Sequence, residues 1–154
     1  MSIKKSLQFP TPLGVLTLVA HHTALLRADF DRPATENAPN HPILAKARQQ
    51  LEEYFAKERT VFDIPLGLED GTLFQRSVWQ QLLPIPFGRT CSYGDIARAI
   101  DNPRAVRAVG GAVGKNPLSI IVPCHRVIGS DGSLTGFSGG MHRKIALLEW
   151  EGVL

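Results

Sequence analysis

The spacing of the apolar residues changes at residues 65–71, and this change constrains the fold more than any other feature of the sequence. Before this segment the apolar residues come mostly in short runs typical of strands, with one stretch at helical spacing over 42–55, and after it the helical signals are stronger. The segment itself, Pro65-Leu66-Gly67-Leu68-Glu69-Asp70-Gly71, has the proline and glycine content of a linker. We therefore predict an α+β protein with two domains, residues 1–70 and residues 71–154.

The first domain is predicted to be a small α/β scaffold. Four short runs have strand character: 7–9, 14–20, 24–30 and 61–64. A helix is expected over 42–55, because its apolar residues fall on one face and Pro42 suits a first helical turn. His21 and His22 resemble metal ligands, but no third ligand with suitable spacing lies nearby, so a polar turn between two strands is the favoured interpretation.

Helices dominate the second domain. Thr72-Leu73-Phe74-Gln75 matches a capping box at the start of an amphipathic helix. Ser92 is expected to cap a short helix over 93–100, and a second helix is expected to open with Pro103. Two short helices joined by a tight turn form a helix-turn-helix pattern. A final helix is predicted over 141–151.

The net charge of +3 belongs entirely to the second half of the chain. Residues 1–86 hold nine basic and nine acidic side chains, whereas residues 87–154 hold eight basic and five acidic ones. Such a cluster is either a solvated basic face or a nucleic-acid-binding surface, and charge alone favours the solvated face.

The sequence contains neither a signal-peptide core nor the run of roughly 18 apolar residues that a membrane helix needs. Its two cysteines, Cys91 and Cys124, make a disulfide framework unexpected. We therefore predict a cytoplasmic protein with free thiols and no membrane partner.

Gly110 and Gly111 fall inside the predicted helix that also carries Arg104 and Arg107. Each glycine in a helix interior costs about 1 kcal/mol relative to alanine. Close packing against another helix is one reason to tolerate that cost. The alternative is close approach to another surface, because a helix with small side chains and arginines fits a DNA groove even as narrow as the minor one, about 6 Å wide.

Cys124 stands between the apolar run 120–122 and the basic pair His125-Arg126. A cysteine in such a run is most simply a core residue, because free cysteine is among the most buried residue types. Neighbouring cations, however, lower the pKa of a thiol and favour the nucleophilic thiolate. The glycine-rich segment 136–140 offers backbone amides but lacks the lysine of a phosphate-binding loop.

Several separate blocks between residues 72 and 152 resemble, in the right order, the O6-alkylguanine-DNA alkyltransferase family. The blocks are Ser92-Tyr93, Asn102-Pro103, 107–112, Asn116-Pro117, 123–127, Ser138-Gly139-Gly140 and Glu151-Gly152. The resemblance implies a ribonuclease H-like N-terminal domain and a mainly helical, winged-helix-like DNA-binding domain. It also implies direct-reversal repair, in which an alkyl group moves from O6-alkylguanine, and from O4-alkylthymine, to a protein cysteine.

By the same resemblance, Cys124 is the acceptor, His125 takes the thiol proton through a water, and Glu151 orients the imidazole. Tyr93 would help protonate the departing base. Five residues are implied to bind the substrate base: Asn116, Val127, Phe137, Ser138 and Gly139. Six residues are implied to bind DNA: Tyr93, Arg104, Arg107, Ala108, Gly110 and Gly111.

The implied partner is duplex DNA, approached through the minor groove by a monomer, with Arg107 filling the space that the flipped base vacates. The resemblance implies no cofactor. It implies no metal either, because the zinc that some members bind near the N-terminus uses cysteine there, and the first cysteine here is Cys91.

Two other functions fit parts of the same pattern. A cysteine hydrolase also uses Cys and His, but its thioester is cleaved by water, whereas an alkyl thioether has no comparable electrophilic carbonyl. A non-enzymatic regulator or damage sensor would share the helix-turn-helix. The sensors related to this family replace the acceptor cysteine, and Cys124 is present here.

Overall fold

A computed structural model describes residues 3–137 and 139–154 and divides the chain into two compact units, Met1–Leu68 and Glu69–Leu154. The first unit is an antiparallel three-stranded sheet with one helix against it. Its elements are β1 (Lys5–Thr11), β2 (Gly14–Ala20), β3 (Leu25–Phe30) and α1 (Pro42–Phe55), and the strands are ordered β1-β2-β3. The α+β prediction is confirmed.

The core of the first unit lies between the sheet and α1. Leu7 and Phe9 alternate along β1 with residues that are not buried, as period-2 patterning requires, and Leu51 and Tyr54 come from the buried face of α1. The predicted helix over 42–55 is correct. The predicted turn is also correct, because His21 accepts hydrogen bonds at Nδ1 from the amides of Thr23 and Ala24, each at 3.1 Å.

The strand predicted at 61–64 does not form. Gln50 of α1 donates to the carbonyl of Asp63 (3.2 Å) and accepts from its amide (2.9 Å), so a side chain satisfies the backbone that a strand would pair. Backbone pairing with β3 comes later in the chain. Leu25 donates to the carbonyl of Pro65 and accepts from the amide of Gly67, both at 2.8 Å.

The second unit is mainly helical. Its elements are α2 (Leu73–Leu82), β4 (Cys91–Ser92), α3 (Tyr93–Ala99), α4 (Val106–Gly114), the 3-10 turn Cys124–Arg126, β5 (Val127–Ile128) and α5 (Met141–Trp150). The predicted capping box is present, since Gln75 donates its amide to Oγ1 of Thr72 while its side chain accepts from the Thr72 amide, both at 3.0 Å. Trp79 ties α2 to α4 by donating to the Ala112 carbonyl at 2.8 Å.

The helix-turn-helix consists of α3 and α4, which pack against each other and against α2. Ser92 caps α3 as predicted, accepting from the Asp95 amide at 3.0 Å. The predicted start of the next helix at Pro103 is wrong. The amide of Ala105 donates to the Asn102 carbonyl (3.0 Å) and closes a turn first, so Arg104 precedes α4 instead of lying within it.

A two-residue parallel ladder brings the start of α3 beside the 3-10 turn. Cys91 pairs with Val127 and Ser92 pairs with Ile128. Because Tyr93 follows Ser92, this ladder sets its phenol near the segment that follows Cys124. Among the described residues, no helix has the length and apolar character needed to cross a membrane.

Candidate active site

Asn116 shapes the loop that leads to Cys124. Its side-chain amide donates to the carbonyls of Val122 (2.8 Å) and Leu118 (3.3 Å), and its carbonyl accepts from the Leu118 amide (3.0 Å). Ile120 within this loop has a φ of 74°, a left-handed conformation that costs a β-branched residue about 1–3 kcal/mol. The hydrogen bonds of buried Asn116 hold the loop in that conformation, so the position of Cys124 depends on a strained and internally braced turn.

Cys124 is the first residue of the 3-10 turn and has no exposed surface. Burial raises the pKa of its thiol from the ordinary value of 9.0 to about 11, and the side chain of Asn116 and the charge of Lys144 oppose that effect. The thiol is therefore protonated at neutral pH. A proton acceptor is needed before it can act as a nucleophile.

His125, the next residue in the chain, is the candidate acceptor. Its Nε2 lies 2.7 Å from Oε2 of Glu151, and both side chains are fully buried. Nδ1 is buried without a hydrogen-bond partner among residues 3–137 and 139–154. Burial lowers the pKa of His125, and Glu151 opposes that shift. His125 and Glu151, two of the implied catalytic residues, thus come together although they lie 26 residues apart along the chain, and Cys124 directly precedes His125.

A second group of contacts surrounds Tyr93, which is nearly buried. Its hydroxyl donates to the carbonyl of Thr135 at 2.7 Å, and Lys144 lies 3.4 Å from the same hydroxyl. Lys144 also donates to the carbonyls of Val127 (2.6 Å) and Thr135 (2.8 Å). Burial raises the pKa of Tyr93 and lowers that of Lys144. The carbonyl of Val127, one of the residues implied to bind the substrate base, therefore already accepts a hydrogen bond from an ammonium group.

Sequence reasoning missed Lys144. The signal was present in α5 and its C-cap, where residues 144, 147, 148 and 151 share one helical face. Leu147 and Leu148 are core residues, so a lysine on their face had to be buried among polar partners. Glu151 lies on the same face and is buried for the same reason.

The remaining implied substrate residues lie in one segment. Phe137 and Gly139 are buried, and the carbonyl of Gly139 accepts from Nη1 of Arg143 at 3.0 Å. Ser138 lies outside the described residues.

Five of the six implied DNA-binding residues lie on α4 or the turn before it, whereas Tyr93 is the nearly buried first residue of α3. Arg104, Arg107, Ala108 and Gly111 are exposed, while Gly110 is half-buried. A Cβ on Gly110 would lie 3.9 Å from the Tyr93 ring, and a Cβ on Gly111 would meet no described atom within 4 Å. Packing within the unit therefore does not explain why Gly111 is glycine.

The helix-turn-helix, the exposed Arg104 and Arg107, and the buried Cys124 beside the His125–Glu151 pair are features of a nucleic-acid-binding protein with a candidate reactive thiol. Among the described residues, no three His, Cys, Asp or Glu side chains come together as metal ligands.

Comparison with known proteins identifies the family. Residues 73–153 match the family model described as 6-O-methylguanine DNA methyltransferase, DNA binding domain, and residues 6–68 match the ribonuclease-like domain of the same enzymes. The chain belongs to the 6-O-methylguanine DNA methyltransferase family, and the resemblance found in the sequence is confirmed. The ribonuclease-like character predicted for the first domain is confirmed as well.

Individual relatives are similar over nearly their whole length. The chain is 50% identical over 146 residues to the methylated-DNA–protein-cysteine methyltransferase of Mycobacterium bovis, covering 92% of this chain and 88% of that protein. The crystal structure of the Mycobacterium tuberculosis O6-methylguanine methyltransferase matches with a TM-score of 0.87 at 47% identity, covering 97% of this chain and 93% of that one. The structure of OGT from the same organism in complex with DNA matches with a TM-score of 0.87 at 48% identity, covering 96% and 92%.

Proposed function

We propose that this protein repairs DNA by direct reversal, moving the alkyl group of O6-alkylguanine, and of O4-alkylthymine, to Cys124. The observation that carries the proposal is the buried Cys124 beside His125, whose Nε2 lies 2.7 Å from Glu151. The names of the relatives, and the DNA in one matching crystal structure, support DNA as the partner.

The reaction is a displacement at a saturated carbon. The Cys124 thiol gives its proton, through a water, to Nδ1 of His125, and Glu151 stabilises the imidazolium that forms. The S–C bond forms as the bond between carbon and O6 breaks. The electron pair of that bond passes to the guanine, which takes a proton from Tyr93 at N3.

The site constrains how the substrate arrives. Cys124 and His125 have no exposed surface, so a base held in the stack cannot reach them. The O6 edge of a stacked guanine faces the major groove, whereas α4 is proposed to approach the minor groove. The base therefore leaves the stack, at a cost of a few kcal/mol, to reach the thiol. The Tyr93 hydroxyl and the Val127 carbonyl must also give up contacts with Thr135 and Lys144 when the base binds.

The outer face of α4 is proposed to approach the minor groove, with the protein acting as a monomer. Gly111 supports this, because the absence of its side chain brings the backbone of α4 closer to a ligand and is not needed for internal packing. Arg107 is exposed on the same helix and is proposed to occupy the space left by the flipped base. The basic charges nearby favour a phosphate-rich partner.

Intact-mass analysis after incubation with duplex DNA containing O6-methylguanine tests the proposal. One methyl group should be gained per protein molecule, mapped to Cys124, and a second addition of substrate should give no further repair. Cys124→Ser should gain no mass and still bind the duplex. Repaired DNA with unmodified Cys124 would instead indicate hydrolysis, and DNA binding without repair would indicate a sensor.

A further inference from the structure

Arg126 holds the carboxylate that orients His125. Its Nε donates to Oε1 of Glu151 at 2.8 Å and its Nη2 donates to Oε2 at 2.9 Å, which is a bidentate fork. Nη1 donates to the carbonyl of Ile85 at 2.7 Å, and the guanidinium lies 5.9 Å from the centroid of the Phe87 ring. The Arg126 side chain is 6% exposed and that of Glu151 is fully buried, so solvent screens this pair little.

The fork determines the charge that His125 experiences. A guanidinium stays protonated in proteins, and it keeps a bidentate carboxylate partner ionised. The Arg126–Glu151 pair is therefore neutral as a whole. A third, positive charge on His125 would be left without a full counter-charge in a site that excludes water.

The fork also determines which nitrogen of His125 carries the proton. An ionised carboxylate can only accept hydrogen bonds, so the Nε2 that faces Glu151 at 2.7 Å must be the donor. Nδ1 of the neutral ring then has a free lone pair. That is the nitrogen with no hydrogen-bond partner among the described residues.

We propose that Arg126 is a positioning residue that keeps His125 neutral, with its proton on Nε2, so that Nδ1 is ready to take the thiol proton. The inference rests on the proposed function of Cys124. Without Arg126, the whole charge of Glu151 would act on His125 and favour the imidazolium, which has no lone pair to accept a proton. With Arg126 present, His125 would become positively charged only when it takes the proton of the Cys124 thiol.

The other charged and titratable groups near His125 stay the same when Arg126 is replaced. Lys144 of α5 and Arg126 both lower the pKa of His125, while Glu151 raises it and burial lowers it most. Cys124 precedes His125 in the chain, and Tyr93 of α3 is electrostatically coupled to Cys124. The one charged side chain of α2, which also packs on the 3-10 turn, is Arg76.

Arg126→Met and Arg126→Lys form the matched pair that tests the inference. Methylation of Cys124 by duplex DNA containing O6-methylguanine is followed by intact mass from about pH 6 to about pH 8, on protein shown to be folded by circular dichroism. For Arg126→Met the acidic limb of the pH profile should move to higher pH. The ratio of the variant's methylation rate to the wild-type rate should therefore be at least about threefold lower at about pH 6 than at about pH 8. Arg126→Lys keeps the charge and should return the limb towards its wild-type position. A limb that stays in place in folded Arg126→Met, or that moves equally in both variants, would overturn the inference.

A measurement on the unmodified protein keeps the inference testable if Arg126→Met does not fold. The ring ¹⁵N shifts of His125, assigned with His125→Gln, distinguish the imidazolium from the two neutral tautomers. At about pH 7 they should report the neutral ring with the proton on Nε2. An imidazolium or an Nδ1 proton would overturn the role of Arg126 even if Cys124 is methylated, whereas absence of methylation in wild type would count against the proposed function instead.

Discussion

Replacing Gly111 by alanine should make the protein more stable and yet weaken its binding to DNA. Alanine is about 1 kcal/mol better than glycine inside a helix. The added methyl group would meet no described atom within 4 Å other than its chain neighbours and the helix's own backbone, so no clash offsets the gain. We therefore expect the free energy of unfolding, measured in urea, to rise by about 0.5–1 kcal/mol.

The same methyl group would stand on the exposed side of α4, near Arg107 and Ala108. If the α4 backbone approaches the floor of the minor groove there, the methyl group holds it away. We expect the dissociation constant for duplex DNA, measured by fluorescence anisotropy at constant salt, to rise about tenfold, which is about 1.4 kcal/mol.

Gly114→Ala is the matched control for this experiment. Gly114 is the last residue of α4, and a Cβ there would also meet no described atom within 4 Å. It should leave DNA affinity unchanged. If Gly111→Ala is stabilised and binds DNA as well as wild type, α4 does not approach DNA at this position. If it is destabilised, Gly111 has an internal packing role after all.

Arg107→Ala should slow repair of duplex DNA more than reaction with free O6-methylguanine, both followed by intact mass; equal losses would exclude a role in base flipping. Lys144→Met should lower the free energy of unfolding, measured in urea, by about 1–3 kcal/mol, because the Val127 carbonyl loses its ammonium donor while the Thr135 carbonyl keeps the Tyr93 hydroxyl. It should also slow methylation of Cys124, because the lysine charge lowers the thiol pKa; an unchanged rate would contradict this. In DNA-free protein, alkylation of Cys124 by iodoacetamide should rise from neutrality towards the thiol pKa of about 11, and a plateau below the ordinary value of 9.0 would refute the raised pKa.

The raised thiol pKa also has a consequence for stability. The folded protein favours the neutral thiol of Cys124. The contribution of this thiol to the free energy of unfolding is therefore complete below the ordinary pKa of 9.0 and is lost as the pH rises through about 11. His125 acts at the other end of the pH range. Because the pKa of His125 is lowered, the neutral ring contributes to the free energy of unfolding above the ordinary pKa of 6.5, and this contribution is lost as the pH falls.

Local signals predicted most of the fold. The caps at Thr72 and Ser92 and the first-turn proline of α1 act over three or four residues, and each appears where the sequence indicates it. The two errors came from competing contacts. The side chain of Gln50 replaced strand pairing at Asp63, and a turn closed by Asn102 and Ala105 delayed α4.

Much of the candidate site was predicted because family motifs mark individual residues. The motifs do not state which side chains share an ion pair. Arg126 lies in the block 123–127, but the resemblance assigned it no role. Lys144 lies in none of the blocks that carry the resemblance. Their positions became visible only when Glu151, Thr135 and Val127 were brought beside them.

By itself, the sequence determined most of the helices and strands, predicted a division into two domains, and placed Cys124 beside two basic side chains. These properties depend on neighbours along the chain, through apolar spacing, capping side chains and linker residues. The tertiary structure decided the protonation states. Burial raises the pKa of Cys124 and lowers that of His125, and Glu151, which is distant in sequence, lies 2.7 Å from His125 and opposes the second shift. Charge and burial act through space, so residues far apart in sequence determine them together.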